Sequence, residues 1–275
     1  ASVYHKPSDK LGLSLTGHYY SSDGLFTNTH NGEKCDKEKQ GGARFKIQWR
    51  PSRNLHIDNT FYFSILRQGG YPYESVDNGE IAYNDTCFYR RSTFNDGLTI
   101  KWIAPAFTLS SITSFQYIDD NMTLDQDFLP LSYFTLTQAR KQHTITQDLI
   151  FKGKESSNYN WLAGAFAFYK HLDMNAPVTF KDYGIEQLIE KNRNEAIPDY
   201  PIAWDTRDFL LSSRFTIPNY GLALYHQSSY KLNSFTFSAG IRLDYEHTAL
   251  TYHSSCDTGY STISASDGST YSHTD

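Results

Sequence analysis

Apolar side chains fall on every second residue through much of this chain. Ala43, Phe45, Ile47 and Trp49 alternate with Arg44, Lys46, Gln48 and Arg50. The next stretch repeats the pattern: Leu55, Ile57, Phe61, Phe63 and Ile65 stand against His56, Asp58, Thr60, Tyr62 and Ser64, and only Asn59 breaks the apolar row. Near the end, Phe235, Phe237, Ala239, Ile241 and Leu243 interleave with Thr236, Ser238, Gly240, Arg242 and Asp244. A β-strand turns successive side chains to opposite faces, so this period predicts strands with one apolar and one polar face. Weaker versions cover 11–20, 98–102, 107–117, 143–151, 159–169 and 220–230. That makes about nine strands, many near ten residues or longer, where a globular strand has about five or six. Residues 161–169 are less clear, because Ala, Gly and aromatics occupy both faces. Small residues there suit a crowded site or a large neighbouring side chain, and the second is the simpler expectation.

The connections alternate in length. Residues 6–10, 51–54, 104–106, 154–157 and 231–233 read as short turns, rich in the Pro, Asn, Ser and Asp that turns favour. Between them lie 21–40, 67–91, 119–141 and 171–218, each about 20 residues or more where a typical loop has about 4–6. In an up-and-down meander all odd connections lie at one end and all even ones at the other. One rim is therefore trimmed short and the other carries large loops, the asymmetry of outer-membrane barrels. One long loop is expected to hold a short helix, with Ile185, Leu188 and Ile189 at helical spacing and Pro198 ending it. A surface helix is the plain reading and a mobile gate over a ligand the sharper one.

Length and composition narrow the partners. The 275 residues are 39% hydrophobic and 16% aromatic, with 21 Tyr and 18 Phe, residues that favour half-buried pleated surfaces and membrane boundaries. The net charge of -5, without a Lys/Arg block, gives no sign of a nucleic-acid partner. No apolar run approaches the ~20 residues of a membrane helix, but a membrane strand needs only about 9–11 with alternate positions apolar. Residues 1–10 are polar and do not read as a signal peptide. Cys35, Cys87 and Cys256 include no CxxC pair. Cys35 and Cys87 both lie in polar, turn-rich stretches, where a disulfide between neighbouring loops and two unpaired thiols are both open readings.

No catalytic constellation, metal site or cofactor motif emerges: there is no G-x-S-x-G, no H-E-x-x-H and no phosphate-cradling Gly loop. Asp125 and Asp127, with Asp119 and Asp120 nearby, could share a cation, although a solvated loop is the plainer expectation. None of the ten histidines has metal-binding spacing; His18, His30, His226, His247 and His253 are candidates for the loop rim. Tyr71, Tyr73, Phe88 and Tyr89 could grip a flat ligand or pack among the loops, with packing favoured. Asn84 and Asn121 match glycosylation acceptors, which in a bacterial barrel would be coincidence.

Several segments carry a family likeness. "DGLFTNT", with Asp23, Gly24, Phe26, Asn28 and Thr29, is followed by a charged patch and a strand ending in Trp49, Pro51 and Ser52. "WLAGAFAF" contains Gly164, and "FSAGIRLDYE" contains Gly240, Arg242, Tyr245 and Glu246. Over nearly its whole length the chain resembles the barrel of TonB-dependent outer-membrane receptors of the siderophore type. The resemblance implies an all-β fold, an antiparallel up-and-down meander forming part of a transmembrane β-barrel. Complete receptors have an N-terminal plug inside a barrel of about 22 strands. Residues 1–275 therefore read as a partial barrel, with the plug, the TonB-binding segment and further strands outside it. The implied partners are a ferric siderophore or similar bulky iron complex, outer-membrane lipid, and the TonB energy-coupling complex acting through the plug. The implied role is transport at the outer membrane of a Gram-negative bacterium, not catalysis. The motifs mark architecture and single out no ligand-binding residue. A passive porin-like or adhesin barrel and a soluble all-β binding module are the alternatives, and alternation alone leaves open whether the apolar face meets lipid or a dry core.

Overall fold

A computed structural model describes residues 1–154 and 158–274. The strands follow the chain as β1 (Ser2–Ser8), β2 (Leu11–Ser22), β3 (Glu38–Ser52), β4 (Leu55–Gln68), β5 (Phe88–Ile103), β6 (Phe107–Asp125), β7 (Phe134–Gly153) and β8 (Tyr159–Asn175). Next come a short β9 (Val178–Phe180), a helical segment, β10 (Ile202–Trp204), β11 (Phe209–Leu232), β12 (Phe235–Thr248), β13 (Thr251–Cys256), β14 (Gly259–Ile263) and β15 (Thr270–Thr274). Every pairing is antiparallel, and the 12-stranded sheet runs β1-β2-β3-β4-β5-β6-β7-β8-β11-β12, with β9 and β13 adding at its long-loop end. From β1 to β8 each strand pairs with the one before it in the chain, and the ladder continues from β8 to β11 and from β11 to β12. The fold class is the meander the alternation predicts.

The apolar rows face outward. On β11, Leu222 and Leu224 are 52% and 57% exposed, while Ala223 between them is 1% exposed. Phe45, Phe61, Phe63 and Ile65 are likewise exposed, and the described residues contain no dry core between stacked sheets; the one buried hydrophobic cluster comprises Cys35, Ile81 and Tyr83, in the loops. The register keeps one face continuous across the sheet, as in the row Ile47, Asn59, Leu98, Thr113, Gln147 and Ala167. Aromatics border this face at both heights. Trp49, Trp102, Phe107, Phe151 and Tyr230 lie toward the short turns, with Trp102 and Phe107 edge-to-face at 5.7 Å. Phe63, Phe94, Tyr117, Tyr169 and Tyr220 lie toward the long loops. From Phe107 to Tyr117 on β6 is a climb of roughly 33 Å along the strand. At a tilt of about 45° that is ~24 Å of height, close to the ~25 Å apolar band of a membrane barrel.

The break at Asn59 is partnered. Its Nδ2 donates to Asp96 Oδ1 at 2.8 Å on the same face of β5. Two strands on, Thr113 donates to Gln147 Oε1 at 2.7 Å and Gln147 Nε2 donates to Ser111 at 3.0 Å. Polar groups in an apolar setting are costly only when unpaired, and here they pair largely with one another.

One expectation about the loops needs correction. The 119–141 loop is mostly strand: β6 runs to Asp125 and β7 starts at Phe134, so Asp119 and Asp120 are strand residues. Beyond the long-loop aromatics the outer face carries no apolar row, so the sequence loses the period of two although the ladder continues. The residues after β12 form β13 and a β14–β15 hairpin, which joins β10 in a 3-stranded sheet. The expected helix is present, as α1 (Asp182–Gly184), a π-helical stretch (Ile185–Lys191) and α2 (Asn192–Ala196), ending before Pro198. The wider π turn spoils the regular apolar stripe, burying Ile185 and leaving Leu188 exposed. Short turns stand at 9–10, 53–54, 104–106 and 233–234; residues 155–157 of the expected 154–157 turn lie outside the described residues.

Candidate functional site

The polar alternates line the inner wall. Arg50 Nη2 meets Asp58 Oδ1 at 2.8 Å, and Arg44 lies over the Tyr62 ring at 5.4 Å from its centroid. On the far side of the sheet, Tyr225 donates to Asp148 Oδ1 at 2.8 Å. Arg242 pairs with Asp244 at 2.8 Å and lies over the Tyr225 and Phe166 rings. The Tyr225 ring occupies the space a side chain at Gly164 would need, and Phe168 does the same at Gly221. The small residues of β8 thus accommodate large neighbours, the simpler of the two expectations. Higher on the inner face, Arg140 binds Asp120 through two bonds of 2.8 and 2.7 Å, Tyr89 donates to the same carboxylate at 3.2 Å, and Arg91 lies 3.8 Å away. An exposed strip of mixed charges around aromatic rings can bind a large polar solute reversibly; no group here is arranged as a nucleophile beside a base.

Above this wall the long loops form a canopy. Asn28, 1% exposed, donates from Nδ2 to Tyr83 O at 2.8 Å and accepts from His30 N at 3.0 Å. Thr29 N donates to Ile81 O at 2.7 Å, which ties the β2–β3 loop to the β4–β5 loop. Asp36 accepts from Leu25 N and Phe26 N at 2.9 Å each and closes the first loop on itself. Under these contacts lies a cavity of about 250 Å³, bordered by Asn28, Lys34, Cys35, Tyr83, Asp85 and Cys87. Cys35 and Cys87 share the buried cluster as free thiols, so of the two open readings the structure carries the unpaired one. Burial pushes both thiols up, Cys87 to about 11, which keeps them protonated and unreactive at neutral pH.

The Asp125–Asp127 pair is not a solvated loop. Asp125 is fully buried at the end of β6, and its Oδ2 accepts from Asn84 N at 3.0 Å and Asp85 N at 3.2 Å. Asp85 in turn pairs with Lys181 from the β8–β11 connection. Burial, and then the charge of Asp125, pushes the Asp127 carboxyl up to about 6. Sequence reasoning found the pair but not its burial, because the covering residues come from a loop about 40 positions earlier.

The aromatics pack within the canopy, as the favoured expectation has it. Tyr71 donates to Met122 Sδ at 3.7 Å, Tyr73 stands 4.5 Å from the Phe128 ring, Phe88 lies under Arg90 and Tyr89 is buried. Of the histidines, His18 stacks on Tyr62 on the inner face, and His30, His247 and His253 lie toward the long-loop end. His226 does not: it pairs with Ala163 and Ile241 near the short turns, where it bonds Ser228 at 2.8 Å. Among the described residues no group of three His, Cys, Asp or Glu converges on a metal position. The helical segment is docked, with Asn194 making two bonds to the backbone of Ile202 at 2.7 and 3.0 Å and Glu190 accepting from Trp204 N at 2.6 Å.

No protein-family model matches the chain. Comparison with solved structures places the geometry. The ferric yersiniabactin uptake receptor FyuA from Yersinia pestis superposes with a TM-score of 0.69 at 13% identity, over 100% of this chain and 39% of the receptor. The chain has the fold of a siderophore-receptor barrel segment. BauA, the ferric preacinetobactin receptor from Acinetobacter baumannii, gives 0.57 at 10% identity over 97% of this chain and 42% of its own. The siderophore receptor PiuA from the same organism gives 0.51 at 9% identity over 96% and 46%. The chain spans less than half the length of each of these three receptors, and at such identities the likeness is one of fold.

Proposed function

We propose that this chain is part of the barrel of a TonB-dependent receptor that imports a ferric siderophore, or a similar bulky iron complex, across the outer membrane of a Gram-negative bacterium. The observation that carries the reading is the outward exposure of the apolar rows between two aromatic borders, with mixed charge on the inner wall. Lipid accounts for that outer face; water would not tolerate so large an apolar surface on a soluble module. The fold shared with FyuA, BauA and PiuA supports a receptor over a simple porin. In this reading the canopy and inner wall take part in capture, and a plug domain elsewhere in the protein couples to the TonB complex. No bond in the ligand is made or broken.

Growth under iron limitation, on a panel of single ferric siderophores, tests the proposal in cells with and without the gene. The expected outcome is loss of growth on one class of carrier, restored by the intact gene and abolished again when TonB is removed. Uptake that persists without TonB would favour a passive barrel. Unchanged growth and uptake on every carrier would overturn the receptor reading.

A further inference from the structure

The canopy holds three buried oxygen atoms without hydrogen-bond partners in one neighbourhood: Asn84 Oδ1, Asp125 Oδ1 and Asp127 Oδ2. All three are acceptors, so a donor or a cation placed among them would satisfy them. Asp125 is 0% exposed, and its other oxygen is already held by the backbone N–H groups of Asn84 and Asp85, which fixes Asn84 beside it. Asp127 lies two residues on, its Oδ1 held by Leu129 N at 2.8 Å. The reversed backbone at Phe128, with φ 55, folds the chain back over the pair. Asp85 is neutralised by Lys181, whereas no Lys or Arg pairs with Asp125 or Asp127 among the described residues. A buried, uncompensated pair of carboxylates is costly, and a cation is the partner that removes charge and unsatisfied acceptors together.

We propose that a calcium ion binds in the canopy between the β4–β5 and β6–β7 loops, ligated by Asn84 Oδ1, Asp125 Oδ1 and Asp127 Oδ2, with backbone carbonyls and water completing its shell. Two carboxylates balance the charge of the ion. An all-oxygen set from carboxylate and amide, with no third Cys, His or acid converging, suits a hard cation and not zinc or copper. Calcium accepts irregular, flexible oxygen shells, whereas magnesium requires a near-octahedral one and keeps its water. The ion would fasten two loops already joined by the bonds of Asp125 to Asn84 and Asp85 and by Tyr73 against Phe128, and would hold the canopy in one shape above the inner wall.

The test uses the intact receptor that contains this chain, purified in detergent, stripped of metal with chelator and titrated with CaCl2. Melting temperature and hydrogen exchange across 84–87 and 125–129 are the readouts, and neither requires the transported ligand. The expected result is a saturable rise in melting temperature with protection of both loops, at concentrations on the order of 0.1–1 mM, as in extracellular calcium modules. D127N should abolish the response. N84A, which leaves the charge unchanged, should shift the titration to higher calcium. D125N should also abolish it; should that variant not fold, D127N at the less buried position carries the same test. A wild-type protein that ignores CaCl2, or a D127N protein that responds like wild type, would overturn the site. An equal response to MgCl2 at equal concentration would overturn the choice of calcium. Failure here leaves the transport reading intact, because growth on iron carriers reports on that separately.

Discussion

The aromatic-bordered band and the loop canopy of this sheet are built on opposite logics. In the band, side chains are sorted by face, and apolar residues of varied shape stand exposed at outward positions. Leu222, Leu224, Phe63 and Ile145 are all exposed there. In the canopy the residues are held individually. Asn28 and Asp125 are buried polar groups, each with named donors or acceptors on another segment. The band therefore tolerates changes of identity but not of polarity, and the canopy tolerates neither at its tie points.

The strongest way to break this contrast is a charge in the band. Leu98→Arg, in the middle row of the outer face, is expected to destabilise the barrel by roughly 2–4 kcal/mol in bilayer, and Phe63→Arg, nearer the long-loop aromatics, by less. Thr60→Arg, next to Phe61 but facing inward, should be mild. Denaturant unfolding of the receptor in vesicles gives the ranking, and equal tolerance at Leu98 and Thr60 would refute lipid exposure of the apolar face.

Second in size is removal of a canopy tie. Asn28→Ala leaves the Tyr83 carbonyl and the His30 N–H without partners, a loss of about 1–3 kcal/mol expected to stay local. Limited proteolysis should open the β2–β3 and β4–β5 loops while the barrel melts as before. A fall in barrel melting instead would mean that canopy and band are one cooperative unit.

A gentler probe is pH. Asp127 has its carboxyl raised from 3.8 to about 6, so the folded canopy favours the protonated form. That contribution is complete below about 4 and is lost as pH rises through about 6. In metal-free protein, loop 125–129 should be looser at pH 7 than at pH 5 once hydrogen exchange is corrected for its intrinsic rate. No difference would show that Asp127 is ionised throughout. The smallest effect is expected at Arg50→Ala on the inner wall, where a partly exposed pair with Asp58 contributes about 0–1 kcal/mol.

How much of this could be read from the chain depends on distance along it. The alternation at 43–50 and 55–65 contains the strands, their two faces and, with the turn lengths, their order, and the structure has β3 and β4 where that pattern lies. The upper parts of β5, β6, β7 and β11 and the short strands β9, β10 and β13–β15 escaped, because residues beyond the long-loop aromatics keep no period of two. The candidate site was legible as residue types, Asp125 beside Asp127 and a group of loop aromatics, but not as an arrangement. Whether Asp125 is wet or buried depends on Asn84 and Asp85, about 40 positions away.

The sequence by itself determined the strands, the meander and the sorting of polar from apolar faces, since these follow from neighbours one or two residues apart and from turns a few residues long. The tertiary structure decided which face looks outward, that Asn59 finds Asp96, that Cys35 and Cys87 share one cluster, and that Asp125 and Asn84 meet. The reason is physical: a local pattern fixes the direction of a side chain relative to its own strand, but its environment is made by groups that only folding brings near.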